Sequence, residues 1–218
     1  MDQDLRDIAD KIIKYLDQKN IQYSDVRADQ QIKNSALIEN NDIEHIKNNE
    51  NKGVGVRLIK NGTWSFCSIT NPNSFDEIKD ILDNTIKNSD YRKIKNKKIK
   101  LHSNTVNKKE INFPVLKKTD IEELIKIGFE CNKIISSTPK IIKSITHASY
   151  TTNSKYFVNS EGSEILQNFT DIIMEMVATA HESGQTQSVN ITEGGRGGLE
   201  LITNKIQQSA KEISKKAS

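Results

Sequence analysis

The chain has 218 residues, of which 34% are hydrophobic and 28% are charged, and its formal net charge is +3. A chain of this length suits one medium domain or two small ones, and the near balance of 32 basic against 29 acidic residues argues against nucleic-acid binding through a strongly basic surface. Cys67 and Cys131 form no C-x-x-C motif, which excludes a zinc ribbon or redox pair and predicts two small buried or half-buried thiols.

The start of the chain, "MDQDLRDIAD", is acidic and polar, unlike a signal peptide. No apolar run approaches the roughly 20 residues that a transmembrane helix needs. We therefore expect a soluble, reduced, cytoplasmic protein with no membrane partner.

The first half of the sequence begins with a helix followed by strands. Residues 4–19 predict an amphipathic helix, because apolar side chains recur at spacings of three and four. The segment "IQYSDVRADQQ" alternates as a strand does, and "NSALIENNDIEHIKNNE" predicts two short strands around a turn at Asn40-Asn41-Asp42.

The strongest local signal is "GVGVRLIKNGTWSFCSI", which predicts a β-hairpin. Apolar residues alternate before Asn61-Gly62, the residue pair that a type I′ turn prefers because both of its positions need a positive φ. Ser74 then predicts the N-cap of a helix over residues 75–86, with Glu77 completing a capping box.

Residues 91–118 are rich in lysine and poor in apolar residues, and we predict a linker there. The basic run at residues 93–100 suggests either an anion site or a solvated surface. No aromatic residues interleave to stack on bases, so nucleic acid is not expected as a partner. If it does bind duplex DNA, the binding should weaken steeply with salt.

The second half repeats the order helix, strands, helix. A helix is predicted over residues 120–135, then extended segments, then a glycine-rich turn "EGGRGGLE" and one last amphipathic helix beginning at Leu199. "NSALIE" corresponds to "NSKYFV", and Gly62 corresponds to Gly184. The prediction is an α+β fold, an antiparallel sheet with flanking helices and an internal duplication, divided into residues 1–90, a linker at 91–118, and residues 119–218.

His181-Glu182 resembles the first half of an H-E-x-x-H zinc motif, but the second half is missing. Such a motif needs a second histidine four residues on, on the same helix face, where this chain has Gln185. The context also predicts a hairpin rather than a helix. The other histidines, His45, His102 and His147, lie in separate segments, where surface or core roles are expected unless the fold brings them together.

The order of these pieces resembles the N-terminal region of the TldD/PmbA family, peptidase-like proteins also described as modulators of DNA gyrase. The resemblance covers essentially the whole chain. It rests on "SDVRADQQ", "GVGVRLIKNGTWSFCS", the turn "NSEG" and "EGGRGGLEL". It implies an N-terminal α+β domain ahead of a β-rich domain that carries H-E-x-x-x-H and a zinc site, in a dimer whose chamber admits unfolded peptides.

This chain has no H-E-x-x-x-H, because Thr186 stands where the second histidine would be. No catalytic or metal-binding residue is therefore assigned, and zinc is expected only in a C-terminal half beyond Ser218. The resemblance implies an N-terminal domain that shapes the dimer and the peptide chamber, with a homologous or identical subunit as partner. The alternative is a free-standing, non-catalytic adaptor that pairs with a full-length homologue.

One segment is the candidate for the sheet core or for the wall of a peptide chamber. It is the predicted hairpin, and its candidate residues are Val54, Val56, Arg57, Trp64 and Phe66.

Overall fold

The computed structural model describes residues 1–91, 99, 101–102, 105–117, 119–203 and 205–218. The first half forms one helix, three strands and a second helix: α1 (Gln3–Asp17), β1 (Tyr23–Glu39), β2 (Asp42–Lys60), β3 (Thr63–Thr70) and α2 (Phe75–Tyr91). After strand β4 (Lys108–Asn112), the second half repeats that order: α3 (Ile121–Ser136), β5 (Ile141–Asn159), β6 (Glu164–Glu182), β7 (Gln185–Arg196), a 3-10 turn (Leu199–Leu201) and α4 (Ile206–Ala217). The predicted α+β fold and its duplication are confirmed.

Within the described residues the strands form a seven-stranded sheet in the order β3-β2-β1-β5-β6-β4, with β7 also paired to β6. The β2–β3 and β6–β7 pairs are antiparallel, and β4 runs parallel to β6. Strand β4 lies inside the segment that the sequence predicted as a linker. The basic run at residues 93–100 lies outside the described residues, apart from residue 99.

The chain divides into two compact units, and each draws on both halves of the sequence. The first unit comprises Met1–Gln31, Glu50–Asn112 and Asn153–Asn168, and the second comprises Ile32–Asn49, Phe113–Thr152 and Phe169–Ser218. The long strands β1, β2, β5 and β6 each contribute residues to both units. The predicted division of the chain at residues 90 and 118 into two repeats and a linker stays a prediction.

In the first unit, α1 and α2 pack on one face of the sheet. The core joins Leu5 and Ile12 of α1 and Leu82 of α2 to Val26 of β1 and Tyr156 of β5, all at most 2% exposed. In the second unit, α3 and α4 cover a core of the same kind, rich in residues from β6. None of the helices in the described part of the chain is long and apolar enough to cross a membrane.

Both predicted tight turns occur at corresponding places in the two halves. Asn61 and Gly62 have φ values of 54° and 74°, and Ser183 and Gly184 have 49° and 79°. These are the positive angles that a two-residue hairpin of type I′ requires. The correspondence of Gly62 with Gly184 is therefore a feature of the duplicated fold.

Some local predictions need correction. The last helix does not begin at Leu199, because the N–H groups of Ile202 and Thr203 both bond to the Leu199 carbonyl and close a separate 3-10 turn before α4. Buried side chains continue across this break, so their spacing gave no sign of it. At the start of α2, Glu77 accepts the backbone N–H of Asn73 at 3.2 Å rather than completing a box with Ser74.

The turns of the two long hairpins are fixed in the same manner. The N–H of Asn40 donates to the Ser144 carbonyl, and the N–H of Ser144 donates back to Asn40 Oδ1, each at 2.9 Å. In the other half, the N–H of Ser160 donates to the Ser24 carbonyl at 2.9 Å, and the N–H of Ser24 donates to Ser160 Oγ at 3.0 Å. Each hairpin turn is thus bound to the start of the other half's first strand.

Asn132, a fully buried residue of α3, extends the contact at the first turn. Its Oδ1 accepts the N–H of Asn41 at 2.8 Å and the hydroxyl of Ser144 at 3.0 Å, and its Nδ2 donates to the Ile38 carbonyl at 3.2 Å. A buried polar side chain is stabilising only when its hydrogen bonds are satisfied, as those of Asn132 are here.

We predict that Asn132→Ala lowers the free energy of unfolding by about 2 kcal/mol, because it removes the hydrogen bonds that Asn132 makes to the buried Ile38 carbonyl and the buried Ser144 hydroxyl. Lys133→Ala, at the exposed neighbouring position, should change it by less than about 0.5 kcal/mol. Urea denaturation of both variants measures the difference. Equal effects would show that the Asn132 network contributes nothing to stability.

Candidate functional site

The candidate site lies in the first unit, on the sheet face turned away from α1 and α2, which we call the outer face. Val54 and Val56 of β2 point into the helix-covered core and are 2% and 3% exposed. Side chains alternate along a strand, so Gly55 and Arg57 lie on the outer face. The register places Ser68 opposite Gly55 and Phe66 opposite Arg57.

The five residues proposed from the sequence therefore separate into two groups. Val54 and Val56 belong to the hydrophobic core, whereas Arg57, Trp64 and Phe66 come together on the outer face. A role for these three in peptide binding stays a prediction at this point.

A partly buried ion pair organises the outer face. Arg57 donates to Asp25 Oδ2 through Nε at 2.8 Å and through Nη2 at 2.6 Å. The Asp25 side chain is only 2% exposed, against 36% for Arg57. The hydrogen bond to Asp25 is the main cause that raises the pKa of Arg57 above its ordinary value.

An aromatic stack adjoins this ion pair. The rings of Trp64 and Phe66 stack with centroids 6.1 Å apart, and Tyr23 meets Trp64 edge-on at 6.0 Å. The Arg57 guanidinium lies 4.9 Å from the Trp64 centroid, a cation–π distance. Phe66 is nevertheless 66% exposed, and so presents a large apolar surface to solvent.

An open groove of about 530 Å³ lies beside the ion pair and the stack, and it is lined by Asp25, Arg27, Gly55, Arg57, Phe66 and Ser68 among others. Asp25, Arg27, Gly55 and Ser68 are not among the site residues predicted from the sequence. Alternation in "SDVRADQQ" already put Asp25 and Arg27 on one face, opposite the buried Val26 and Ala28. Their meeting with β2 depends on strand register, which the sequence alone did not fix.

Two family models match this chain. The PmbA/TldA metallopeptidase domain 1 matches residues 24–89, and the PmbA/TldA metallopeptidase central domain matches residues 114–218. Together they cover well over half of the chain. The chain belongs to the PmbA/TldA metallopeptidase family.

Individual relatives are distant, and the chain spans about half their length. A protein named as a metalloprotease from Methanocaldococcus jannaschii is 28% identical, with 89% of this chain and 44% of that protein covered. A proposed modulator of DNA gyrase from Bacteroides thetaiotaomicron has a similar structure, with a TM-score of 0.80, 16% identity, and 97% of this chain and 49% of that chain covered. TldE from Thermococcus kodakarensis also has a similar structure, with a TM-score of 0.76 and 13% identity. The match covers 96% of this chain and 47% of that chain. The structural similarities support the fold.

Membership of a metallopeptidase family makes a metal site the first feature to test. His181 lies at the end of β6, opposite Thr186 of β7, and its Nδ1 is 2.9 Å from the Thr186 hydroxyl. It is therefore a hairpin residue, not part of a metal-binding helix. Across the part of the chain that the structure describes, no three His, Cys, Asp or Glu side chains are grouped so that they could hold a metal ion. These residues do not fit a metal centre.

In this PmbA/TldA chain, the Glu200 carboxylate supplies an anion next to the glycine-rich segment. The Glu200 carboxylate accepts backbone N–H groups from Gly198 at 2.8 Å, Lys117 at 2.9 Å and Leu116 at 3.3 Å. The Gly198 N–H, the one of these donors that lies in the glycine-rich segment, therefore binds a side chain of the same chain. Burial acts to raise the pKa of Glu200, but these donors together outweigh it and lower the pKa.

We predict that Asp25→Asn lowers the free energy of unfolding by about 2 kcal/mol, because Arg57 loses its charged partner. The control is Asp29→Asn on the same strand. Asp29 pairs with Lys155 at 3.5 Å in an exposed geometry, so its effect should be below about 0.5 kcal/mol. Chemical denaturation followed by Trp64 fluorescence compares them, and similar losses would contradict a structural role for the Asp25–Arg57 pair.

We predict a pH-dependent contribution from Glu200. Its pKa is lowered in the folded state, so the stabilisation is present above the ordinary glutamate pKa and is lost as the pH falls through the folded-state pKa. The thermal midpoint of Glu200→Gln should lie below that of the wild type near pH 7, and the gap should shrink towards about pH 3. Glu212→Gln, at an exposed helix position, should show little gap at any pH. A constant gap for Glu200→Gln would contradict the assignment.

Proposed function

We propose that this chain is the N-terminal and central part of a TldD/PmbA-type zinc metallopeptidase, where it shapes the dimer and the peptide chamber. The observation that carries the proposal is the match of two successive PmbA/TldA domain models to a chain whose described residues hold no candidate metal cluster. The zinc and the catalytic residues would then belong to the part of the family fold that this chain does not span.

The outer face supports a role in holding peptide. An unfolded peptide is an extended chain, and proteins bind such chains along sheets, through side-chain pockets and through the hydrogen-bonding groups of an edge strand. Strand β3 is at one end of the sheet order, and Phe66 projects from it into the open groove. The Asp25–Arg57 pair and the stacked Trp64 hold the groove's side chains in place before a peptide arrives.

The proposed partner is an identical or homologous TldD/TldE-type subunit, and the proposed location is the cytoplasm. The structural similarity to TldE supports the choice of partner. The alternative proposal is a free-standing adaptor that pairs with a full-length homologue.

The test measures cleavage and association separately. The purified chain is incubated with zinc and an unfolded polypeptide, and we expect neither cleavage fragments in mass spectrometry nor stoichiometric tight zinc in equilibrium dialysis. Mixing it with a full-length PmbA/TldA subunit should give a stable complex by light scattering. Chelator-sensitive proteolysis by the chain alone would place catalysis within these residues. Failure to associate, either with itself or with the subunit, would overturn the role in the dimer.

The DNA downstream of the codon for Ser218 separates the two candidate functions. A reading frame that encodes H-E-x-x-x-H supports a peptidase whose catalytic half follows this region. A stop codon with no such frame supports the adaptor.

A further inference from the structure

Neither the backbone conformation nor the packing of Gly55 explains why a glycine occupies this position inside a strand. Its φ is not among the positive values, so an L side chain can adopt its conformation. A Cβ atom built there meets nothing within 4 Å, so no neighbour excludes a side chain. Glycine weakens a strand interior, and where it persists it often marks the close approach of a ligand or another backbone.

The missing side chain leaves a trough on the outer face. Gly55 pairs with Ser68, which is also small, and the next pair along is Arg57 with Phe66, which forms a wall at one end. Gly53, on the same face, is different. A Cβ atom added at Gly53 would lie only 3.1 Å from the Ile69 carbonyl oxygen, so crowding gives a steric reason for glycine at that position. Of these two glycines, Gly55 is the one that leaves open space on the outer face.

The charges around the trough favour a carboxylate. Two guanidinium groups, those of Arg57 and Arg27, face one carboxylate, that of Asp25. Arg57 is engaged with Asp25 through Nε and Nη2, whereas Arg27 Nε lies 3.7 Å from Asp25 Oδ1 and its side chain is 60% exposed. Together, Arg57, Arg27 and Asp25 carry one net positive charge. A guanidinium can bind a carboxylate through two parallel hydrogen bonds.

The trough continues into a second groove, which favours a chain-like occupant over a compact one. Arg27 lines both, and the second groove, of about 450 Å³, extends past Phe157 and Gln167 of the same unit. Arg27 also lies over the Phe157 ring at 5.7 Å. An extended peptide running across Gly55 can reach both grooves, because it advances about 3.3 Å per residue.

We propose that the trough binds an extended acidic peptide, with the peptide backbone over Gly55, a large apolar side chain on Phe66 and a carboxylate on Arg27. This rests on the proposed function and deepens it, because it names the class of peptide that the outer face selects: segments in which an aromatic or large aliphatic residue stands next to Asp or Glu. Phe66 and Arg27 are the specificity-determining residues, and Gly55 provides access.

The chain carries its own reporter for this site. Trp64 is the one tryptophan in the sequence, and it stacks on Phe66 beside Arg57. The purified chain is titrated with the capped peptide acetyl-Ala-Phe-Asp-Ala-Gly-amide and with the same peptide carrying Asn in place of Asp. Binding is followed by Trp64 fluorescence and independently by equilibrium dialysis of labelled peptide. We expect saturable binding, at least about fivefold tighter for the Asp peptide.

Two variants test the geometry. Gly55→Val should weaken binding at least about tenfold without lowering the thermal midpoint, because valine favours a strand and its Cβ has no other atom within 4 Å here. Arg27→Gln should reduce the affinity for the Asp peptide to that for the Asn peptide and leave the latter unchanged. Thr192→Val, at an exposed position of β7 in the second unit, is the control that places the same apolar side chain on a strand elsewhere.

Unchanged binding in folded Gly55→Val would overturn the trough as the site, and equal affinities for the Asp and Asn peptides would overturn its charge preference. No binding of either peptide by dialysis at millimolar concentration would also overturn the proposal. These outcomes are independent of the association and cleavage measurements, so an intact complex with no preference for acidic peptides defeats this inference alone. A chain that fails to associate but binds the Asp peptide defeats only the dimer role.

Discussion

The fold depends on the hydrogen bonds that fix the turn of each long hairpin to the first strand of the other half. Asn40 exchanges two bonds with Ser144, and Ser160 exchanges two with Ser24. Because corresponding hydrogen bonds occur in both halves, they are a feature of the duplicated fold and not of one local sequence. These bonds hold each turn against the start of the neighbouring strand, β5 for the turn at Asn40 and β1 for the turn at Ser160.

On the outer face of the first unit, the pairing of β1 with its neighbour β2 has chemical consequences. Asp25 is almost fully buried, so it needs a charged partner, and the register supplies Arg57. Arg57 in turn lies against Trp64, which orients the exposed Phe66. A surface fixed in this manner loses little conformational entropy when a peptide binds, which is the property expected of a preformed recognition site. The proposed role in a peptide chamber makes a peptide the ligand to test there.

The sequence predicted the features that local chemistry determines. Asn61-Gly62 identified its hairpin because few residues accept two consecutive positive φ angles, and the stripes of α1 and α3 identified their buried faces. It did not predict the length of β2, whose first half is mostly exposed and shows no clear alternation. It also missed the Asp25–Arg57 pair, because residues 32 positions apart meet only when strand register is known. Family resemblance supplied what patterns could not, namely the metallopeptidase context.

The bonds at the hairpin turns also bear on how the chain folds. Asn40 and Ser144 are 104 residues apart in sequence, and Ser24 and Ser160 are 136 apart. On a ribosome, the first half would emerge with its strands complete but without the residues of β5 and β6 that finish its core. Folding that waits for such distant contacts is slow and leaves strand edges exposed meanwhile. The nascent protein is therefore expected to need protection by chaperones until the residues of β5 and β6 have been synthesised.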